Sequence, residues 1–212
     1  MISRTKQYIL LAASAFMLST ATFAQDTAES SGSENSKEAK GDKYYEDYAF
    51  MDAREAYIKA VDNGYRSANL LSKLADSYYY NGEYEEASKW YGALFSFSEE
   101  IDSEYVYRYA QSLKSIVKYA TADRVMKRLN EVAKEDDRGA LFKEEPDYLK
   151  SIELQSGRFN IFPVPFNSEY SDYGPTLNTG ALIFTSNRKT RTASQHFHDW
   201  DDQPFSELYS IL

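Results

Sequence analysis

From about residue 37 to residue 133 the apolar positions recur at the three-to-four-residue spacing of amphipathic helices, and no proline interrupts them. Asn81-Gly82 marks a turn inside this stretch, because glycine accepts a positive φ at no steric cost. From about residue 158 the pattern changes. Pro163, Pro165 and Pro175 arrive with Gly174 and Gly180, and the apolar runs FNIFPV and ALIFTS predict strands. Between the two regions, EEPDYLKSIELQSG predicts one short connecting helix within 134–157, with Pro146 suited to the first turn and Gly157 to the stop.

The helical stretch repeats itself. Gly41, Tyr44, Ala53 and Tyr57 stand 34 residues before Ala75, Tyr78, Ala87 and Tyr91. A third copy, with one more loop residue, places Ala110, Leu113, Ala122, Met126 and Leu129 at the same internal spacings. Small residues let two helices approach closely, and Tyr44, Tyr78 and Leu113 fill the space between them. A period of 34 with this order of small and aromatic positions resembles the tetratricopeptide repeat over residues 37–133. The resemblance implies a mainly α fold, a solenoid of about three helix pairs, which is about the smallest number that buries its own apolar faces. Lys40 stands where the repeat prefers leucine, so the first repeat is expected to be a frayed cap, and the helix near Pro146 is expected to cover the other end. The third repeat lacks the turn glycine.

In that family the first helix of each repeat lines the inner groove. The resemblance therefore puts Asp42, Tyr45, Asp76, Tyr79, Tyr80, Tyr107, Gln111 and Lys114 on the concave face. Tyrosines with acids suit an extended peptide or a basic, polar protein surface. The same tyrosines could equally serve only to fill space between neighbouring repeats.

The first 24 residues do not belong to this pattern. MISRTKQ is basic, YILLAASAFMLSTATFA is apolar, and Thr22 and Ala24 offer the small residues of a cleavage site. This predicts a secretory signal over 1–24, cleaved after Ala24, because the apolar run is short of the ~20 residues a membrane span needs. The next segment, 25–36, holds serine, glycine and charge without an aromatic residue and predicts a flexible linker. Residues 1–24 contain Arg4 and Lys6 and no acid, so their removal takes the net charge from −9 to −11. That balance argues against nucleic acid and anionic membranes as partners. Export of a chain without cysteine means that disulfides do not supply its stability, which fits a bacterial envelope.

Residues 158–212 carry a second likeness. The SDYGP segment, with Asp172, Tyr173, Gly174 and Pro175 as a turn, precedes ALIFTSNR, with Phe184, Ser186 and Arg188 at strand positions, and Glu207, Leu208 and Tyr209 open a further strand. This resembles the first blade of a WD40-like (PD40) β-propeller. A propeller needs about four or more blades, and the sequence stops inside an apolar strand, so an N-terminal fragment of a longer protein is expected. Signal, tetratricopeptide repeats and propeller in this order resemble the OmpA-family envelope proteins of Bacteroidota. The resemblance implies a periplasmic, outer-membrane-associated scaffold linked to type IX secretion or gliding, with an outer-membrane PorP/SprF-like protein as one partner. Two alternatives remain: a peptidoglycan-anchoring OmpA-like protein whose anchor is missing, and a fragment of a propeller-associated hydrolase.

No catalytic pattern is present: there is no cysteine nucleophile, no Gly-x-Ser-x-Gly elbow and no phosphate loop, so no enzyme activity and no cofactor are expected. His196 and His198, with Asp199, Asp201 and Asp202, form the one cluster of potential metal donors, and their spacing matches no zinc site. Trp200 and Phe205 in that loop are expected to pack.

Overall fold

The computed structural model describes residues 36, 38–144, 147–189 and 196–212. The expected signal and the linker up to residue 35 lie outside these residues. The described chain is mainly α, with eight helices followed by a small antiparallel sheet. Helix α1 covers 38–46. It is followed by α2 (Phe50–Asp62), α3 (Ala68–Tyr79), α4 (Tyr84–Phe97), α5 (Ser103–Ser115), α6 (Tyr119–Val132), α7 (Asp137–Glu144) and α8 (Tyr148–Gln155). The strands are β1 (Asp172–Asn178), β2 (Ala181–Ser186) and β3 (Glu207–Ile211).

Helices α1 to α6 form the three expected helix pairs, stacked so that each pair touches the next. The small residues of the repeat lie at the closest approaches. Ala53, Ala75, Ala87, Ala110 and Ala122 are all fully buried. A β-carbon on Gly41 would sit 2.4 Å from the Tyr57 ring, so α1 and α2 meet too closely there for any larger residue. Tyr57, Tyr91 and Met126 occupy the matching interior position of the three pairs. Polar caps set the helix starts. Ser67 accepts from the Leu70 amide at 2.9 Å, and Asp102 accepts from the Glu104 amide at 2.8 Å.

The helix stops obey one rule in all three repeats. Tyr48, Gly82 and Val117 occupy equivalent positions and share a left-handed backbone, with φ of 60°, 73° and 64°. At each stop the following amide reaches back past the turn, Ala49 to the Tyr44 carbonyl, Glu83 to Tyr78 and Lys118 to Leu113. Glycine fits this conformation without strain, and a β-branched valine does not. The third repeat therefore keeps the turn without its glycine, at the cost of strain in Val117.

The segment after the repeats differs from expectation. Residues 134–157 hold two helices, α7 and α8, instead of one. Gly157 does end the second, with φ +76°. It is α7 that packs on α6, with Gly139 against the Asn130 backbone, while α8 buries none of its residues and touches the repeats through Tyr148. The covering role falls mainly to α7. Its polar sequence DRGALFKE has no strong apolar face, which hides it from periodicity.

Strands β1, β2 and β3 lie side by side in chain order. Thr179 and Gly180, both at positive φ, form the two-residue turn between β1 and β2. The expected turn at Asp172–Pro175 is instead part of β1. Its register slips between Tyr173 and Thr176, Gly174 has φ +62°, and Pro175 is tolerated because β1 is an edge strand. FNIFPV is not a strand either. Phe159 and Ile161 stand 81% and 91% exposed, and with prolines at 163 and 165 the segment finds no strand to pair with. One sheet face is ordered by Phe184, which stacks between Phe166 and Tyr209, and by Arg188, which joins Asp172 at 2.7 Å. Three strands in a meander do not by themselves make a propeller blade.

The strain at Val117 gives a direct test. Val117 is 70% exposed and loses little packing on truncation, so Val117→Gly is expected to raise stability by up to about 1 kcal/mol. Gly82→Val should lower it by about 1–2 kcal/mol, both read from urea-unfolding midpoints.

Candidate protein-binding face

The first helices α1, α3 and α5 carry the residues expected on the concave face, and a network of buried charge underlies them. Asp76 of α3 is 1% exposed. Its carboxylate accepts from the Tyr45 hydroxyl of α1 at 2.9 Å and from the Tyr91 hydroxyl of α4, and pairs with the Arg108 guanidinium of α5 at 2.7 Å. One carboxylate thus joins all three repeats. Asp42 of α1 repeats the pattern, accepting from Tyr57 of α2 at 2.7 Å and pairing with Lys73 of α3 at 2.9 Å. In each case the tyrosine lies 15 residues after the acid, and the base comes from the next repeat. In the third repeat Gln111 and Met126 take the two equivalent positions.

The protonation states follow from this packing. Burial, reinforced by the adjacent carboxylates, pushes the Tyr57, Tyr91 and Tyr45 hydroxyls well above the ordinary tyrosine range. Burial works against the charge on Arg108, but its hydrogen bond and attraction to Asp76 outweigh that and hold it protonated. Each carboxylate thus sits between phenol hydroxyls held in their neutral form and a basic side chain of the next repeat.

The eight expected residues fall into three groups. Asp76 is a strut beneath the face and offers nothing to a partner. Asp42 and Tyr45 are partly covered and engaged within the chain. Tyr79 and Tyr80 lie at the surface with their rings 5.9 Å and 5.0 Å from the Arg108 guanidinium. Tyr107, Gln111 and Lys114 come together further along, where α7 and α8 close over α5 to leave a recess of about 250 Å³ that Arg138, Phe142 and Tyr148 also line. The Lys114 ammonium lies 4.3 Å from the Tyr148 ring centroid, and the Arg138 guanidinium lies 4.2 Å from that of Tyr107. Burial lowers the Lys114 pKa against the opposing pull of Asp123. Tyr148, which donates to Asp123, is pushed up to about 12, chiefly by burial.

The expectation of a basic partner loses its physical ground here. Asp42 and Asp76 are already neutralised by Lys73 and Arg108, and Glu104 is shared between Arg108 and Arg138. What remains available is tyrosine, amide and cation. Sequence reasoning missed Lys73, Arg108 and Arg138. Asp42 and Asp76 each follow a small residue and precede a tyrosine at the same distance, and that recurrence could have revealed the buried pairs. Arg54 was also missed. It is 6% exposed, bonds Glu83 and the Ser77 carbonyl, and lies 4.2 Å from the Tyr78 ring centroid.

His196 and His198 do not gather a donor set. The His198 ring lies 3.8 Å from that of Phe205, and among the described residues no group of three or more histidines and acids is placed to hold a metal. No described helix is long and apolar enough to cross a membrane.

No protein-family model matches this chain, and no curated protein matches it. Among the solved structures similar to this chain are two TPR domains. The NMR structure of the first TPR domain of human RPAP3 aligns at 15% identity and a TM-score of 0.47, over 58% of this chain and 96% of that one. The TPR2AB domain of yeast Sti1, in a complex with pHSP90, aligns at 20% identity and a TM-score of 0.46, over 59% of this chain and 51% of that one. The repeat assignment stands on the helix pairing, the 34-residue register and the shared stops described above.

Asp76→Ala strips Arg108 and two tyrosines of their partner at once, and a loss of about 3–5 kcal/mol is expected from urea unfolding. The tyrosine hydroxyls give a pH test. Their folded pKa lies above the unfolded value of about 10, so their contribution is complete below pH ~10 and fades as pH rises towards the folded value. Tyrosinate absorbance should accordingly show a late group of tyrosines that ionise together with loss of helical circular dichroism. A single smooth titration on an intact helical spectrum would contradict the buried pairs.

Proposed function

We propose that this chain is a non-enzymatic protein-interaction scaffold, and that its repeats take an extended segment of another protein across Tyr79, Tyr107, Gln111 and Lys114. The observation that carries this reading is the recess beside α5, where the expected face residues Tyr107, Gln111 and Lys114 meet Arg138, Phe142 and Tyr148. Such a surface offers hydrogen-bond donors and flat apolar rings at low ordering cost, which suits a polypeptide rich in carbonyl and carboxylate acceptors. The neutralised acids beneath it make the face rigid without making it anionic.

The proposed setting is the periplasm, at the outer-membrane and cell-wall machinery, associated with type IX secretion or gliding. Its support is the order of segments along the sequence: a signal-like start, helical repeats, then a segment resembling a propeller blade. An outer-membrane PorP/SprF-like protein is the partner that this resemblance suggests. A mature chain beginning at Gln25 in the periplasmic fraction, identified by terminal peptide sequencing, is expected.

Affinity capture from the cell envelope tests the binding face. Tyr79→Ala with Tyr107→Ala is expected to weaken partner capture about tenfold or more while the helical spectrum persists, as loss of interface anchors does. Undiminished capture by a folded double variant would remove the face from consideration.

A further inference from the structure

Residues 196–205 form a hairpin with its own bracing. Phe197 and Pro204 bridge, the His198 amide donates to the Gln203 carbonyl at 2.9 Å, and the Phe205 amide donates to the His196 carbonyl at 3.1 Å. The tip presents Trp200, which lands on the repeats and not on the sheet. Its ring lies edge-on to Phe50 with centroids 4.6 Å apart, parallel to Tyr48 at 6.0 Å, and tilted against Tyr80 at 6.0 Å. The Asn81 side-chain amide donates to the Trp200 carbonyl at 3.0 Å. Tyr48 and Asn81 belong to the helix stops of the first two repeats, so the cleft is built where those stops lie side by side.

Among the described residues no helix touches a strand, and residues 156–165 are exposed throughout. The Trp200 contacts therefore decide where the sheet sits. We propose that the Tyr48–Phe50–Tyr80 cleft is a docking site for a tryptophan at a hairpin tip, and that its occupant is Trp200 of the same chain, which latches the sheet segment to the repeats. The occupant is fixed by geometry: ring stacking, edge-to-face contact and a hydrogen bond converge on one side chain. The site does not depend on the binding proposal above, since none of Tyr79, Tyr107, Gln111 and Lys114 touches Trp200.

A connection of residues 156–165 behaving as a flexible coil would span roughly 17 Å, which sets a local hairpin concentration in the millimolar range. A contact too weak to hold in trans is thereby held closed within one chain. Trp200→Ala should empty the cleft and lower the melting temperature of the helices by no more than a few degrees, as loss of a contact closed about tenfold does.

A cyclic peptide of residues 196–205, titrated into the full chain and followed by NMR, tests this. In the Trp200→Ala chain it should shift the signals of Tyr48, Phe50, Tyr80 and Asn81, and the unmodified chain should need about tenfold more peptide for the same shift. Absence of those shifts, or equal titrations in both chains, would overturn the docking site. A concentration-dependent dimer of the unmodified chain that Trp200→Ala abolishes would overturn the intramolecular seating, placing the hairpin on a second copy. As a second measurement that does not rely on the alanine variant folding, Tyr80→Ala should increase acrylamide quenching of Trp200 fluorescence in a Trp90→Phe chain. Unchanged quenching would count against the latch.

Discussion

The Asp76 carboxylate is the constraint on which the repeats depend. It is almost wholly buried, and a carboxyl group is tolerated there only when its oxygens are fully engaged. The partners come from α1, α4 and α5, so satisfying one side chain fixes the relative placement of three repeats. Apolar packing alone permits small rotations between stacked helix pairs. A fork of guanidinium and phenol hydrogen bonds allows far less. The Asp42 pair joins the first two repeats with a more exposed carboxylate and a lysine in place of arginine, which makes that junction the looser of the two.

The consequence for function is indirect. Charges that the repeat resemblance assigns to a partner are used inside the molecule, and the surface left over is aromatic and amide-rich. The acids determine where Tyr79, Tyr80 and Arg108 stand without touching anything beyond the chain. The third repeat, with Gln111 and Met126 in place of acid and tyrosine, needs no such network on its far side. There α7 and Tyr148 fold over, and a recess opens where the ladder of acids ends.

The two regions of the chain are stabilised by different means. The helical half buries two apolar clusters, one centred on the first two repeats and one on the third. The sheet buries little beyond Phe184 and relies on the Asp172–Arg188 pair and a short aromatic stack. A sheet with so small a core gains from a foothold on the larger unit, and Trp200 supplies it.

The helix pairs were legible because spacing alone encodes them. Small residues at 41, 75 and 110 and large ones three positions later can satisfy one another only in paired helices, whatever else the chain does. The Asn81-Gly82 stop was legible because glycine announces its backbone, whereas Tyr48 and Val117 adopt the same conformation under the compulsion of the repeat. Helix α7 was not legible, since its placement comes from Gly139 fitting the Asn130 backbone and not from an apolar stripe. Nor was the strand role of Asp172–Pro175, because Gly and Pro signal a turn until a neighbouring strand absorbs the bulge. Sequence by itself determined the repeat, its period and the Asn81-Gly82 stop, which are local properties. Only the tertiary structure decided that Asp76 faces inward, that Arg108 belongs to it, and that Trp200 seats on the first two repeats. Those contacts join residues separated by tens of positions or more, and no local periodicity records which long-range partner a charge or a ring will meet.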